Sequence, residues 1–155
     1  MDTRIFFPRI EARNLEGTTV LLPEAFSGSP SVVIIAFTRS HQAIVDSWTP
    51  WLDKFVEQHP PVAFYEIPTI SGSWKLMRRM IDGGMAAAIR TPKVLKRTMT
   101  IYGDVRKLTG PLKIRDRSTI TLLVVTRQGE VVWSCTGSFD SVTAATLGEV
   151  AAAQH

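Results

Sequence analysis

One cysteine in 155 residues, Cys135, leaves no partner for an internal disulfide and too few thiols for a cysteine-based zinc site. A reducing compartment fits that economy. The three histidines, His41, His59 and His155, have no metal-ligand spacing, so neither a metal nor another cofactor is indicated. His41 as a general base would need a nucleophile and an orienting partner, and with neither legible a hydrolase is not expected. Long hydrophobic runs are missing as well, since none approaches the roughly 20 residues that cross a bilayer. The opening Met1-Asp2-Thr3-Arg4 has no secretory apolar core and no acid-poor, Arg-rich presequence, which gives the expectation of a cytoplasmic protein.

What the chain does have is enough apolar matter for one core. With 45% hydrophobic residues over this length, a single α/β domain spanning residues 1–155 is expected. Val32, Val33, Ile34, Ile35, Ala36 and Phe37 form a continuous apolar run, the pattern of a strand covered on both faces. Thr38, Arg39, Ser40, His41 and Gln42 follow as a helix start, with Ser40 as the expected cap. Ile44, Val45, Trp48, Trp51, Leu52 and Phe55 then recur at helical steps, and Pro50 inside that pattern predicts a kink. His59-Pro60-Pro61 ends the helix and Val62 to Ile67 reads as a second buried strand. Strand, helix, strand predicts a βαβ unit with parallel strands and a right-handed crossover.

An amino-terminal hairpin is read from the stretch ending at Ala12, the turn Asn14-Leu15-Glu16-Gly17 and the strand Thr18 to Leu22. At the other end, Thr121 to Val125, the turn Arg127-Gln128-Gly129-Glu130 and Val131-Val132-Trp133 predict a second hairpin. A final helix follows from Asp140, with Val142, Ala145, Leu147 and Val150 as its apolar positions. The middle is read as a basic helical insertion over about 73–117. Trp74, Leu76, Met77, Met80 and Ile81 form an apolar stripe flanked by Lys75, Arg78 and Arg79. Thr91 and Pro92 open a second short helix carrying Val94, Leu95, Thr98 and Met99, and Tyr102 to Arg117 reads as a long loop.

Charge is distributed unevenly. Between Lys75 and Arg117 twelve basic residues face three acids, a net +9, while the rest of the chain carries −5. Such asymmetry points to an anionic counterpart, whether a membrane surface, an acidic protein patch or nucleic acid, with a merely solvated face as the alternative. Met77 and Met80 beside Lys75, Arg78 and Arg79 suit a surface for varied apolar helices or for the headgroup layer of an anionic bilayer. Packing against the sheet explains the same stripe. Arg39, Ser40, His41 and Gln42 cluster where a helix offers free amides, so an anion or acidic peptide end is a candidate ligand there.

The order of elements resembles the redoxin branch of thioredoxin-like proteins. Pro8, Asn14-Leu15-Glu16-Gly17, Leu22-Pro23, Phe26 and Gly28 resemble the opening segment of that branch. Carried over from Phe37 and from Pro50, the two redox cysteines of the family fall on Gln42 and Val45, and the window Gln42-Ala43-Ile44-Val45 holds no thiol. The family's proline opposite the redox motif falls on Ile120. Within the branch, Phe6-Phe7-Pro8, the cysteine-free helix start and Gly129-Glu130-Val131-Val132-Trp133-Ser134-Cys135-Thr136-Gly137 resemble the "ATP ten" family, which assembles the membrane sector of mitochondrial ATP synthase, and its bacterial relatives. The resemblance implies a thioredoxin-like fold with a mixed sheet flanked by helices. It also implies a chaperone that handles hydrophobic membrane subunits, in the cytoplasm or, in a processed eukaryotic protein, in the mitochondrial matrix, peripheral to the inner face of the membrane.

Three functions therefore compete. The first is a non-catalytic assembly factor whose partner-binding residues are Arg39, Ser40, His41, Gln42, Lys75, Met77, Arg78, Arg79 and Met80. The second is a divergent thiol peroxidase or reductase using Cys135, although a thiol on a return strand is ordinarily packed and inert. The third, nucleic-acid binding by the basic segment, lacks interleaved stacking aromatics and a recognised reading helix.

Overall fold

The computed structural model describes residues 4–70 and 97–154. In chain order these form β1 (Ile5–Phe6), β2 (Ile10–Asn14), β3 (Thr19–Leu22), β4 (Ser31–Ala36), a 3-10 turn (Arg39–His41), α1 (Gln42–Gln58) and β5 (Ala63–Ile70). After the undescribed segment come β6 (Met99–Tyr102), α2 (Arg106–Leu112), β7 (Thr121–Val125), β8 (Glu130–Thr136) and α3 (Ser141–Ala152). All eight strands belong to one mixed sheet in the order β1-β8-β7-β4-β5-β6-β2-β3.

β4 lies at the centre because its sequence is apolar at every position and can be covered on both sides. Val33 and Ile35 join Leu22, Phe26, Tyr65 and Ile101 on one face, closed by Leu108 and Leu112 of α2. Val32 and Ile34 join the opposite cluster, which takes Val45, Trp48, Leu52 and Phe55 from α1 and Ala144, Leu147 and Ala151 from α3. Each fully buried side chain of this kind stabilises the fold by about 1.5–3 kcal/mol relative to exposure. β4 pairs in parallel with β5, Ser31 opposite Ala63 and Ala36 opposite Pro68, as the strand-helix-strand reading expects, and antiparallel with β7, which forms the expected hairpin with β8. Gly28 fixes where β4 begins: a Cβ there would collide with the Pro30 carbonyl and the Ala63 amide, so only glycine lets the preceding loop lie against β5.

The amino-terminal hairpin is present, Glu11 opposite Leu21, and sits at the sheet edge through pairing of β2 with β6. α1 runs through Pro50 as one 17-residue helix. Three expectations need correction. Thr98 and Met99 are not helical: Thr98 forms a bridge with Glu66, and Met99 begins β6. Alternation decides it, with Met99 and Ile101 packing on the α2 face while Thr98 and Thr100 fall on the other. Tyr102 to Arg117 is not one long loop, because α2 forms within it and buries Leu108, Thr109 and Leu112. Packing overrides the poor helix propensity of Gly110 and Pro111, and Asp104 supports the start by accepting the Arg106 amide at 3.0 Å.

The buried stripe of α3 also differs from the expected one. Val142 is 74% exposed and Ala145 also faces solvent, whereas Ala144, Leu147, Gly148 and Ala151 are buried. Small residues let α3 approach α1: a Cβ on Gly148 would come within 3.1 Å of the Phe55 ring. Asp140 caps this helix, its carboxylate accepting the Thr143 amide at 2.8 Å, and that bond holds its carboxyl below the usual carboxylate range. Among the described residues no helix is long and apolar enough to cross a membrane.

Candidate functional site at the start of the first long helix

Where β4 ends, the chain turns through Thr38 and the 3-10 turn into α1, whose amino terminus carries a partial positive charge of about half a unit. Ser40 does not cap it. Thr38 holds the cap position of the 3-10 turn and His41 that of α1, neither with a side-chain capping bond, and the Ser40 hydroxyl pairs with that of Thr38 at 2.8 Å. Arg39, Ser40 and His41 separate Thr38 from the first α-helical residue, Gln42, and they take the tighter 3-10 form, with the His41 amide donating to the Thr38 carbonyl at 3.1 Å.

Arg39, Ser40 and Gln42 are exposed, but His41 is only 4% exposed and is not part of the same surface. Its Nδ1 accepts the Phe37 amide at 3.0 Å, and its Nε2 lies 3.2 Å from the Ser118 carbonyl. A backbone amide can only donate and a carbonyl can only accept, so these partners fix the neutral, Nε2-protonated tautomer. His41 thus fastens the end of β4 to the loop before β7 across 77 positions of sequence. That loop is ordered by Asp116, whose carboxylate accepts the Ser118 hydroxyl and, at 2.9 Å, the Ser118 amide; those bonds hold the Asp116 carboxyl below the usual range.

A second tie lies alongside. The Gly137 amide donates to the Ile120 carbonyl at 3.2 Å, and the Trp48 indole donates to the Gly137 carbonyl at 2.9 Å. Phe139 packs edge-on against Trp48 with ring centroids 5.3 Å apart and remains 37% exposed. The window Gln42-Ala43-Ile44-Val45 grades from solvent to core: Gln42 and Ala43 are exposed, Ile44 is half-buried and Val45 is 2% exposed. Gln42 spends its amide on Asp46 at 2.9 Å. The site presents backbone and small polar groups at a helix start, with no nucleophile in the window.

The sequence matches no family model and no curated protein. Its structure is similar to a putative thiol:disulfide interchange protein DsbE from Chlorobium tepidum, at 13% identity and TM-score 0.61, over 100% of this chain and 99% of that one. A thiol:disulfide interchange protein from Bacteroides sp. matches at 19% identity and TM-score 0.65, over 98% and 91%. BsSco, a member of the Sco family of cytochrome c oxidase assembly proteins, matches at 12% and 0.63, over 99% and 95%.

The fold is thioredoxin-like. At these identities the likeness carries the fold alone, and the finer resemblance to the ATP synthase assembly family rests on sequence phrases. In this thioredoxin-like chain the lone thiol stands apart from the helix start. Cys135 lies opposite Leu122 on β8, is half-buried and packs against the cluster beneath α1 and α3. Burial pushes its pKa up to about 11, which opposes the thiolate that redox chemistry needs.

The basic segment divides. Lys75, Met77, Arg78, Arg79 and Met80 lie outside the described residues, as do Arg90, Lys93 and Lys96. Of the other basic residues counted there, Arg97 is no part of a solvated face: it is 8% exposed, donates to Asp53 at 2.9 Å and stacks 4.2 Å above the Phe64 ring. Arg106 is bound back to Asp104, at 3.0 Å through Nε. Sequence reasoning missed the His41–Ser118 and Trp48–Gly137 bonds and the burial of Arg97. No local pattern signals contacts between residues so far apart in the chain.

Proposed function

We propose that this domain is a binding or assembly protein without thiol catalysis, working at the inner face of a membrane on hydrophobic subunits of a complex such as ATP synthase. The observation that carries the reading is the helix start: both positions where the fold's redox cysteines would stand, Gln42 and Val45, lack a thiol, and His41 bonds the surrounding turn to Ser118. Cys135 gives no substitute, with its pKa raised by burial to about 11. BsSco, whose family is one of cytochrome c oxidase assembly proteins, adds that a chain of this fold can belong to assembly work. The exposed Arg39, Ser40 and Gln42 then offer a contact surface at the positive end of the helix, and the basic residues Lys75, Arg78 and Arg79 a second one toward anionic headgroups.

Affinity isolation from crosslinked native membranes tests this, comparing the wild type with a variant in which Lys75, Arg78 and Arg79 are replaced by Glu. Recovery of ATP synthase membrane subunits by the wild type and their loss in the variant is the expected result. Recovery of soluble proteins or nucleic acid alone overturns it. Peroxide consumption or disulfide reduction by the wild type that disappears in Cys135→Ser would replace the reading with the enzymatic one.

A further inference from the structure

At the far end of the sheet from His41, a groove of about 760 Å³ opens between the β2–β3 turn, the last turns of α1 and the start of β5. β4 and β5 keep six residues paired between the two ends, about 16 Å of strand, so the groove is separate from the helix start. Its volume falls in the range of small-molecule sites. Val56, Val62, Phe64 and Met99 supply apolar walls.

Asn14, Arg97 and the Ser27–Tyr65 hydroxyl pair each keep a donor to spare. Asn14 is 9% exposed and its Oδ1 already accepts the amides of Glu16 and Thr18, each at 3.0 Å, so the group it has left is its NH2. The Tyr65 oxygen accepts the Ser27 amide at 3.0 Å and shares one hydrogen bond of 2.8 Å with the Ser27 hydroxyl. Two hydroxyl protons and one bond between them leave one O–H to donate, whichever oxygen carries it. Arg97 gives one N–H to Asp53, and among the described residues its buried Nε has no acceptor. Asp53 thus engages NH1 alone and leaves the guanidinium with donors to spare, Nε itself lying out of solvent's reach. Among the described residues the one acid in the lining, Glu16, is exposed.

We infer that this groove binds a small organic carboxylate with an apolar body, its oxygens received by Arg97, Asn14 and the Ser27–Tyr65 hydroxyl pair. The inference stands independently of the proposed assembly role. An amide-resolved NMR titration of the full chain tests it with 3-phenylpropionate, its neutral twin 3-phenylpropanamide and the dipeptide acid N-acetyl-Val-Phe. Saturable shifts at Asn14, Ser27, Val56 and Ala63 are expected with the acid, and binding about tenfold weaker with the amide. Tighter binding of the dipeptide acid would identify a chain terminus as the source of the carboxylate, and tighter binding of 3-phenylpropionate a free acid. Val56→Trp, a half-buried α1 position that fills the groove, should abolish the shifts with the circular dichroism spectrum retained. Arg97→Lys, which keeps the charge and removes the fork, should weaken the acid several-fold and leave the amide unchanged. Equal binding of acid and amide, shifts that survive Val56→Trp, or no saturable response to either acid would each overturn the proposal.

Discussion

The start of α1 and the end of β8 divide between them what a reactive thiol requires. At the helix start there are a helix dipole, solvent access and a turn held in place by His41, but the exposed position where a nucleophile would stand is Gln42. On β8 there is a thiol, but Cys135 sits half-buried in a sheet, where burial pushes its pKa to about 11. Thiol chemistry is therefore a property of place as much as of residue, and a cysteine count alone would have assigned it to the wrong strand.

The largest expected effect comes from cutting the link between the two regions. Trp48 is fully buried on α1 and its indole reaches the Gly137 carbonyl just past β8. Trp48→Ala removes the core side chain and leaves that carbonyl without its indole donor, and should cost about 3–5 kcal/mol in urea unfolding. Trp48→Phe, keeping most of the ring and losing the N–H, separates the two contributions. If both variants unfold at the wild-type midpoint, the contact does not join α1 to β8.

Next in size is an exchange of thiols. In a Cys135→Ser background, Gln42→Cys places a thiol at the exposed helix start and should alkylate at pH 8 roughly 100-fold faster than wild-type Cys135, with a titration midpoint at least ~2 units lower. Equal midpoints would show that the helix start does not favour an anion, and would weaken the notion of an anionic ligand there. A smaller effect is expected at the clamp. His41→Ala leaves the Phe37 amide and Ser118 carbonyl without their ring partner and should cost about 1–3 kcal/mol, with faster hydrogen exchange at Phe37. His41→Gln, which has one acceptor and one donor, should restore part of the protection.

These tests also separate what the sequence made legible from what it did not. The apolar run Val32 to Phe37, the period of α1, both hairpins and the Asp140 start of α3 were readable because each is set by neighbours within a few residues. β6 and α2 were misread because both are short and owe their form to packing, Met99 and Ile101 against the sheet's core and Leu108 and Leu112 over it. Ser40 looked like a cap because its residue type is right, yet the 3-10 turn gave the cap position to Thr38. At the site, the missing thiols were plain from the order of residues, while the role of His41 depends on Ser118, which only the closed sheet brings to it. The buried setting of Arg97 was equally hidden, since its partners Asp53 and Phe64 come from α1 and β5.

The smallest effect is the most direct reading of the β8 environment. Cys135 is an acid whose folded pKa, about 11, stands above its ordinary value of 9.0 because burial disfavours the thiolate. The neutral thiol is thus the form the fold accommodates. Its contribution to stability is fully present below pH 9.0 and is lost as pH rises through that value toward about 11, where the unfolded chain has already released the proton that the folded chain retains. The partial exposure of the side chain lets solvent relieve much of the penalty, so the loss should be modest. Cys135→Ser removes this titration and leaves the tyrosine and lysine titrations in place. The difference in unfolding free energy between wild type and Cys135→Ser should therefore be flat from pH 7 to 9 and then move against the wild type. A difference that stays flat to pH 11 would place Cys135 in an environment no less favourable to the thiolate than water, and the contrast with the start of α1 would lose its basis.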